Sequence, residues 1–140
     1  LKGNLTLWEA QDALIAALAE VEDLAEVTVD FGFPANLEPD HVWIDDGATG
    51  SRTTELSGDT EPSDETFRLT VLAFTSHALE AIEVRDLLKV LTAGVFTAMA
   101  SATFAAVVPA WTLADYTLDA GTDGTNRQLA VALTFECQCW

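Results

Sequence analysis

The sequence predicts a single α+β domain: a mixed or antiparallel β-sheet with two packing α-helices. Three observations carry this reading. Two segments, beginning at Leu7 and Val84, repeat apolar residues at three- and four-residue steps. Three others, around residues 27–33, 67–74 and 128–139, alternate with period two. The 140 residues carry no internal repeat and no Pro-rich linker that would divide them.

The first helix is predicted over residues 7–24. Thr6 followed by Glu9 has capping-box spacing. Leu7, Ala10, Leu14, Ala17, Leu18, Val21 and Leu24 form its apolar stripe, with Glu9, Asp12, Glu20 and Asp23 on other faces. A strand follows, in which Val27, Val29, Phe31 and Phe33 alternate with Thr28, Asp30 and Gly32. Pro34, which has no N–H for a ladder, ends it. Residues 35–40 read as a turn and His41–Asp45 as a second short strand.

From Asp46 to Glu65 the chain reads DGATGSRTTELSGDTEPSDE, polar throughout except for Leu56. Such a long connection suggests either a surface loop or an arm that orders against a partner. Arg52–Leu56 is a candidate edge strand within it. The next strand is the clearest. Phe67, Leu69, Val71 and Ala73 share one face, and Leu72 and Phe74 make the other face apolar at one end. That pattern asks for cover on both sides. Ser76 is the expected N-cap of the second helix, which would run to Ala100 and be covered nearly all round beyond Leu91. The last third predicts two antiparallel strands, Ala105–Leu118 and residues 128–139. The hairpin tip between them, 119–127, holds Gly121 and Gly124. The element order is thus α-β-β-loop-β-α-β-β.

Composition narrows the function. Hydrophobic residues make up 49% of the chain, enough for a core. Six basic against twenty-three acidic residues give a formal charge of −17 and a pI near 4.1. That surface repels phosphate, which excludes gripping DNA or RNA and disfavours anionic membrane. Residues 90–114 carry no charge, but the Thr residues and Pro109 there point to a buried helix and then a buried strand rather than a membrane span. The first apolar stretch is interrupted by Glu9 and Asp12, so no signal peptide is read, and the chain opens on Leu1.

Candidate chemistry is sparse. His41, at a strand edge, and His77, in a helix first turn, lie in no nucleophile motif and read as surface or edge residues. Cys137 and Cys139 lack CxxC spacing and read as apolar thiols on the inner face of a strand. Asp45-Asp46-Gly47 and residues 119–124 do not complete a calcium ladder. No catalytic residue, cofactor or metal is expected. The four tryptophans suit core or interface anchoring.

The layout resembles the tail-terminator family (tail-completion or minor tail proteins) of long-tailed viruses. The resemblance spans Leu7 to Phe135. It rests on the amphipathic helix, the strands VTVDFGF and HVWID, a polar loop, ETFRLTVLAF, ALEAIEVRDLLKVL and a C-terminal hairpin ending LAVALTF. It implies a non-enzymatic ring, commonly a hexamer. That ring would sit at the head-proximal end of the tail tube, stop polymerisation and meet the neck or connector protein. It also implies a virion protein assembled in the host cytoplasm. An acidic lumen would let DNA pass without sticking. From the sequence itself, loop 46–65 and the 119–127 hairpin are the expected interface or lumen elements, with Asp45, Asp46, Arg52, Glu55, Asp59, Asp119 and Asp123 as their charges. The acid excess also resembles proteins of salt-loving hosts. The alternatives are a neck adaptor, a tail-tube subunit, or a small enzyme or ligand-binding domain.

Overall fold

A computed structural model describes residues 4–54 and 63–140. The order is α1 (Thr6–Glu20), a 3-10 turn (Glu22–Leu24), β1 (Thr28–Phe31), β2 (Asp40–Ile44), β3 (Thr49–Thr54), β4 (Ser63–His77), α2 (Ala81–Met99), α3 (Ala102–Ala105), β5 (Ala110–Asp123) and β6 (Asn126–Cys139). The strands form one six-stranded sheet in the order β1-β2-β4-β6-β5, with β3 also paired to β4. Only β1 and β2 run parallel. The α+β fold predicted from the pattern is the fold observed.

The helices cover one face. Phe67, Leu69, Val71 and Ala73 of β4 lie beside Val42 and Ile44 of β2 and Val131, Leu133 and Phe135 of β6. Leu14 and Leu18 of α1, Leu91 and Val95 of α2, and Phe104 of α3 close over them. Each large apolar side chain so buried contributes about 1.5–3 kcal/mol of transfer free energy. The other face holds Arg68, Thr70, Leu72, Phe74 and their neighbours, and it has no helix. Its β2 end is covered instead by the short crossover of residues 32–39, where Phe33 packs edge-on against Trp43 at 5.6 Å. Gly32, at φ +81°, makes the sharp exit from β1.

Several elements depart from expectation. The first helix stops at Glu20, and the 3-10 turn carries the stripe on to Leu24. Thr6 is its first helical residue, and no side chain of the preceding residue caps it. The cap comes from Glu65, 59 residues away: its carboxylate accepts the Thr6 and Leu7 N–H groups, each at 3.0 Å. Local spacing cannot reveal such a cap. Ser76 is not an N-cap, because β4 continues through His77 in pairing with Arg127. The second helix starts at Ala81 behind a Glu80–Glu83 capping box.

Among its described residues, the polar connection 46–65 contains sheet. β3 and the start of β4 pair through Thr49↔Arg68 to Thr54↔Ser63. β2 and β3 lie end to end along one edge of β4. Between Ile44↔Val71 and Thr49↔Arg68 their side advances five residues while β4 advances three. Two extra residues therefore bulge out, with Asp45 N–H still held by the Thr70 carbonyl at 2.9 Å.

The uncharged stretch after Val90 is also arranged differently. α2 ends at Met99, and α3 follows behind a Ser101 cap whose Oγ accepts the Phe104 N–H at 3.2 Å. β5 begins only at Ala110, past Pro109, and it is largely exposed rather than buried. Its hairpin tip is two residues, not nine: Asp123 pairs Asn126 around Gly124, at φ +60°, and Thr125. Positive φ at the first turn position alone is the type II′ pattern. The second half of α2 is not covered all round, since Val90, Ala93 and Thr97 remain exposed. Among the described residues, no helix is long and apolar enough to cross a membrane.

Candidate interaction site

α2 lies across β4 and β6 and meets β5 near its start, where Trp111 packs against Met99 and Phe96. Among the described residues, the helix-side residues of β5 beyond Trp111 have no layer above them. Leu113, Tyr116 and Leu118 sit opposite Phe135, Leu133 and Val131 of β6 and are 38%, 66% and 58% exposed. Together with Leu88 and Phe96 of α2 they line an open apolar groove of about 480 Å³. Its floor is Leu129, Val131 and Leu133 of β6. Nearby, Trp111 Nε1 donates to the Met99 carbonyl at 3.0 Å, and the Trp111 and Phe135 rings meet edge-on at 5.4 Å. Arg85 and Lys89, both exposed, stand on the α2 rim of this groove. They are two of only six basic residues in the chain.

The opposite edge of the sheet has a counterpart. Trp8, Gln11, Asp12 and Ile15 of α1 face Val29, Asp30 and Phe31 of β1, with Asp46 at one end, around a hollow of about 700 Å³. Trp8 and Phe31 are about half exposed, at 53% and 51%, and the charges here are all acidic.

The predicted interface charges fall in different places. Asp45 and Asp46 are exposed on the β2–β3 bulge, where Asp45 Oδ1 accepts the Gly47 N–H at 3.1 Å. Asp119 and Asp123 are strand residues of β5, exposed on the side away from the helices together with Asp115. β2, β4 and β6 separate the two groups, so the structure does not gather them into one cluster. Arg52 is internal to the fold: its Nη2 lies 3.2 Å from Glu65 Oε1 and donates to the Asn4 carbonyl at 2.6 Å. Glu55 and Asp59 lie outside the described residues, as does Leu56.

The histidines correct the sequence reading. His41 is buried, at 1% exposure, under the β1–β2 crossover. Its Nδ1 accepts the Glu38 N–H at 3.0 Å, which leaves Nε2 to donate to Asp30 Oδ2 at 2.6 Å. Both ring nitrogens are thus occupied. His77 ends a strand rather than opening a helix, and its Nε2 meets Asp40 Oδ1 at 3.0 Å, where Thr75 Oγ1 also donates at 2.8 Å. The sequence missed these partners because each histidine meets its aspartate across strands. Cys137 and Cys139 are buried, and neither is in a disulfide. Burial first, then the charges of Cys139 and Glu136, push the Cys137 thiol from 9.0 up to about 12, so it is an inert proton-bearing thiol. Among the described residues no group of three or more His, Cys, Asp or Glu is placed to hold a metal ion.

No protein-family model and no curated protein matches this sequence. Among solved structures, the chain is similar to one from the virion of a native gene transfer agent (GTA) particle. The two share 15% identity and a TM-score of 0.46, over 97% of this chain and 94% of that one.

Proposed function

We propose that this protein is a non-enzymatic structural component of a virion, a ring-forming subunit that caps a tail tube and joins it to the neck. The observation that carries the reading is the uncovered apolar groove between α2 and the β5–β6 hairpin. A folded subunit with Leu113, Tyr116 and Leu118 left open above Leu129, Val131 and Leu133 is complete only when another surface covers it. The tail-terminator layout gives that surface a context, since members of that family work as closed rings.

The charge distribution supports the same reading. Asp115, Asp119 and Asp123 project from β5 on the helix-free side of the sheet, where Glu136 of β6 also lies. A wall of this kind around a pore repels duplex phosphates, and Arg68 on the same face is paired with Glu136 at 3.4 Å, so DNA passes without arrest.

Native mass measurement on the purified chain tests the proposal. A closed oligomer, six copies in the family pattern, is expected. Added to tail tubes, it should appear as one ring at one end. Indefinite stacking would instead identify a tube subunit. A 15.0 kDa monomer persisting at high concentration would overturn the ring reading.

A further inference from the structure

We infer that the ring closes head to tail, with the apolar groove beside β5 of one copy receiving the β1 edge of the next. This inference rests on the ring reading above and names the surfaces that build it. The groove and the hollow beside β1 occupy opposite edges of the same sheet, four inter-strand steps or about 19 Å apart at the strand level. Both open on the helix side. One is an apolar trough with cations on its rim, Arg85 and Lys89. The other presents the half-exposed rings of Trp8 and Phe31 beside the carboxylates of Asp12 and Asp46, the Asp30 carboxylate being turned to His41 on the opposite face.

The match is one of both shape class and sign. Aromatic side chains on a surface are the usual anchors of an interface, and an apolar trough is what they fill. The chain carries −17 overall, so two random patches of two copies repel. The groove rim concentrates two of the six basic residues, and it is the surface on which an acidic edge can land without that penalty. The Arg85–Asp86 pair on the rim is exposed and weak, and Arg85 can exchange partners.

The symmetry follows from the placement. Because the two complementary patches are different, neither pairs with its own twin across a two-fold axis, and because they lie on opposite edges, a copy docked edge to edge at one leaves the other open for a third. Each copy uses one patch on each neighbour, which is the heterologous contact that builds a ring when the rotation closes. Among the described residues, β5 pairs on one side alone, with β6, and the arriving β1 edge would shield its other side from indefinite pairing.

The test uses two variants of the full chain, each changed at an exposed position so that folding is preserved. Tyr116→Asp closes the groove to an aromatic anchor, and Trp8→Asp removes the anchor from the edge. Each alone should lose the ring and run as a monomer. Mixed in equal amounts they should form a dimer and nothing larger, because only one good groove and one good edge remain. A second pair, Lys89→Glu and Asp12→Lys, checks the charges: each alone should weaken assembly at least tenfold, and the double variant should recover it. If wild type forms a ring and both aromatic variants still do, the surface assignment is wrong while the ring stands. If one variant forms a homodimer on its own and mixing yields no mixed dimer, the contact is two-fold rather than head to tail. If wild type is a monomer, the ring reading itself has failed.

Discussion

The Glu65 carboxylate and the Arg52 guanidinium, paired across β4 and β3, meet at 3.2 Å directly over the first turn of α1. Glu65 is 4% exposed, so its charge is stabilised by three things at once: Arg52, the Thr6 N–H and the Leu7 N–H. The arrangement ties the polar connection to the N-terminal helix. Glu65→Ala should cost roughly 3 kcal/mol, because it leaves two helix N–H groups and a partly buried guanidinium without their acceptor. Glu65→Gln should cost less, about 1–2 kcal/mol, since one oxygen still accepts. Denaturant unfolding measures both. The Arg52→Ala/Glu65→Ala double variant should lose less than the sum of the singles, as expected of side chains in contact.

Gly94 gives a second prediction. A Cβ placed there would meet three Leu24 side-chain carbons at 2.7, 2.8 and 2.9 Å. α2 and the 3-10 turn after α1 therefore approach as closely as they do only because residue 94 lacks a side chain. Gly94→Ala should destabilise by about 1–2 kcal/mol from overpacking, despite the better helix propensity of Ala. Thermal unfolding would register it, and pairing the change with Leu24→Ala should recover part of the loss.

The buried imidazole of His41 predicts a third. His41→Leu keeps the bulk but strands the Glu38 N–H and the Asp30 carboxylate. A loss of about 1–3 kcal/mol is expected, with faster amide exchange confined to residues 32–39. Uniform exchange across the sheet would refute the local role.

The thiols predict a pH and labelling response. The folded Cys137 thiol titrates near 12, against the ordinary 9.0 in the unfolded chain. The raised value means the native state holds the proton more tightly. Its contribution is fully present below pH 9 and is lost as pH rises from 9 towards 12, by up to about 1.4 kcal/mol per pH unit. Alkylation at pH 8 should accordingly be slow in native protein and fast in denatured protein. Cys137→Ser should flatten the alkaline limb.

The charge of −17 predicts a salt response. Added monovalent salt should raise the unfolding midpoint until the Debye length falls to a few ångströms, near 1 M. A salt-loving origin further expects failure to refold at low salt. Efficient refolding in a few millimolar buffer would remove that reading.

The periodic elements were readable in the sequence because their signal is local. The α1 stripe, the alternation of β6 and the two-faced β4 each declare themselves within a dozen residues. What was missed depends on partners far along the chain. Thr6 and Glu9 imitate a capping box, yet the acceptor comes from Glu65. Ser76 imitates an N-cap, yet pairing with β6 extends the strand past it. Thr49–Thr54 has no apolar alternation, since Gly, Ser and Thr fill it, and it is a strand only because β4 offers an edge there. The groove was visible only as an excess of apolar residues. Its location required knowing that α2 covers β5 only at Trp111 and leaves Leu113, Tyr116 and Leu118 open.

The two-residue bulge after Ile44 is where this edge can absorb a change of length. Pairing is fixed on both sides of it, by Ile44↔Val71 and by Arg52↔Glu65, so a residue added between Asp45 and Ala48 would swell the excursion and leave Arg52 facing Glu65. Relatives should therefore vary in length here while the clasp on the N-terminal helix persists.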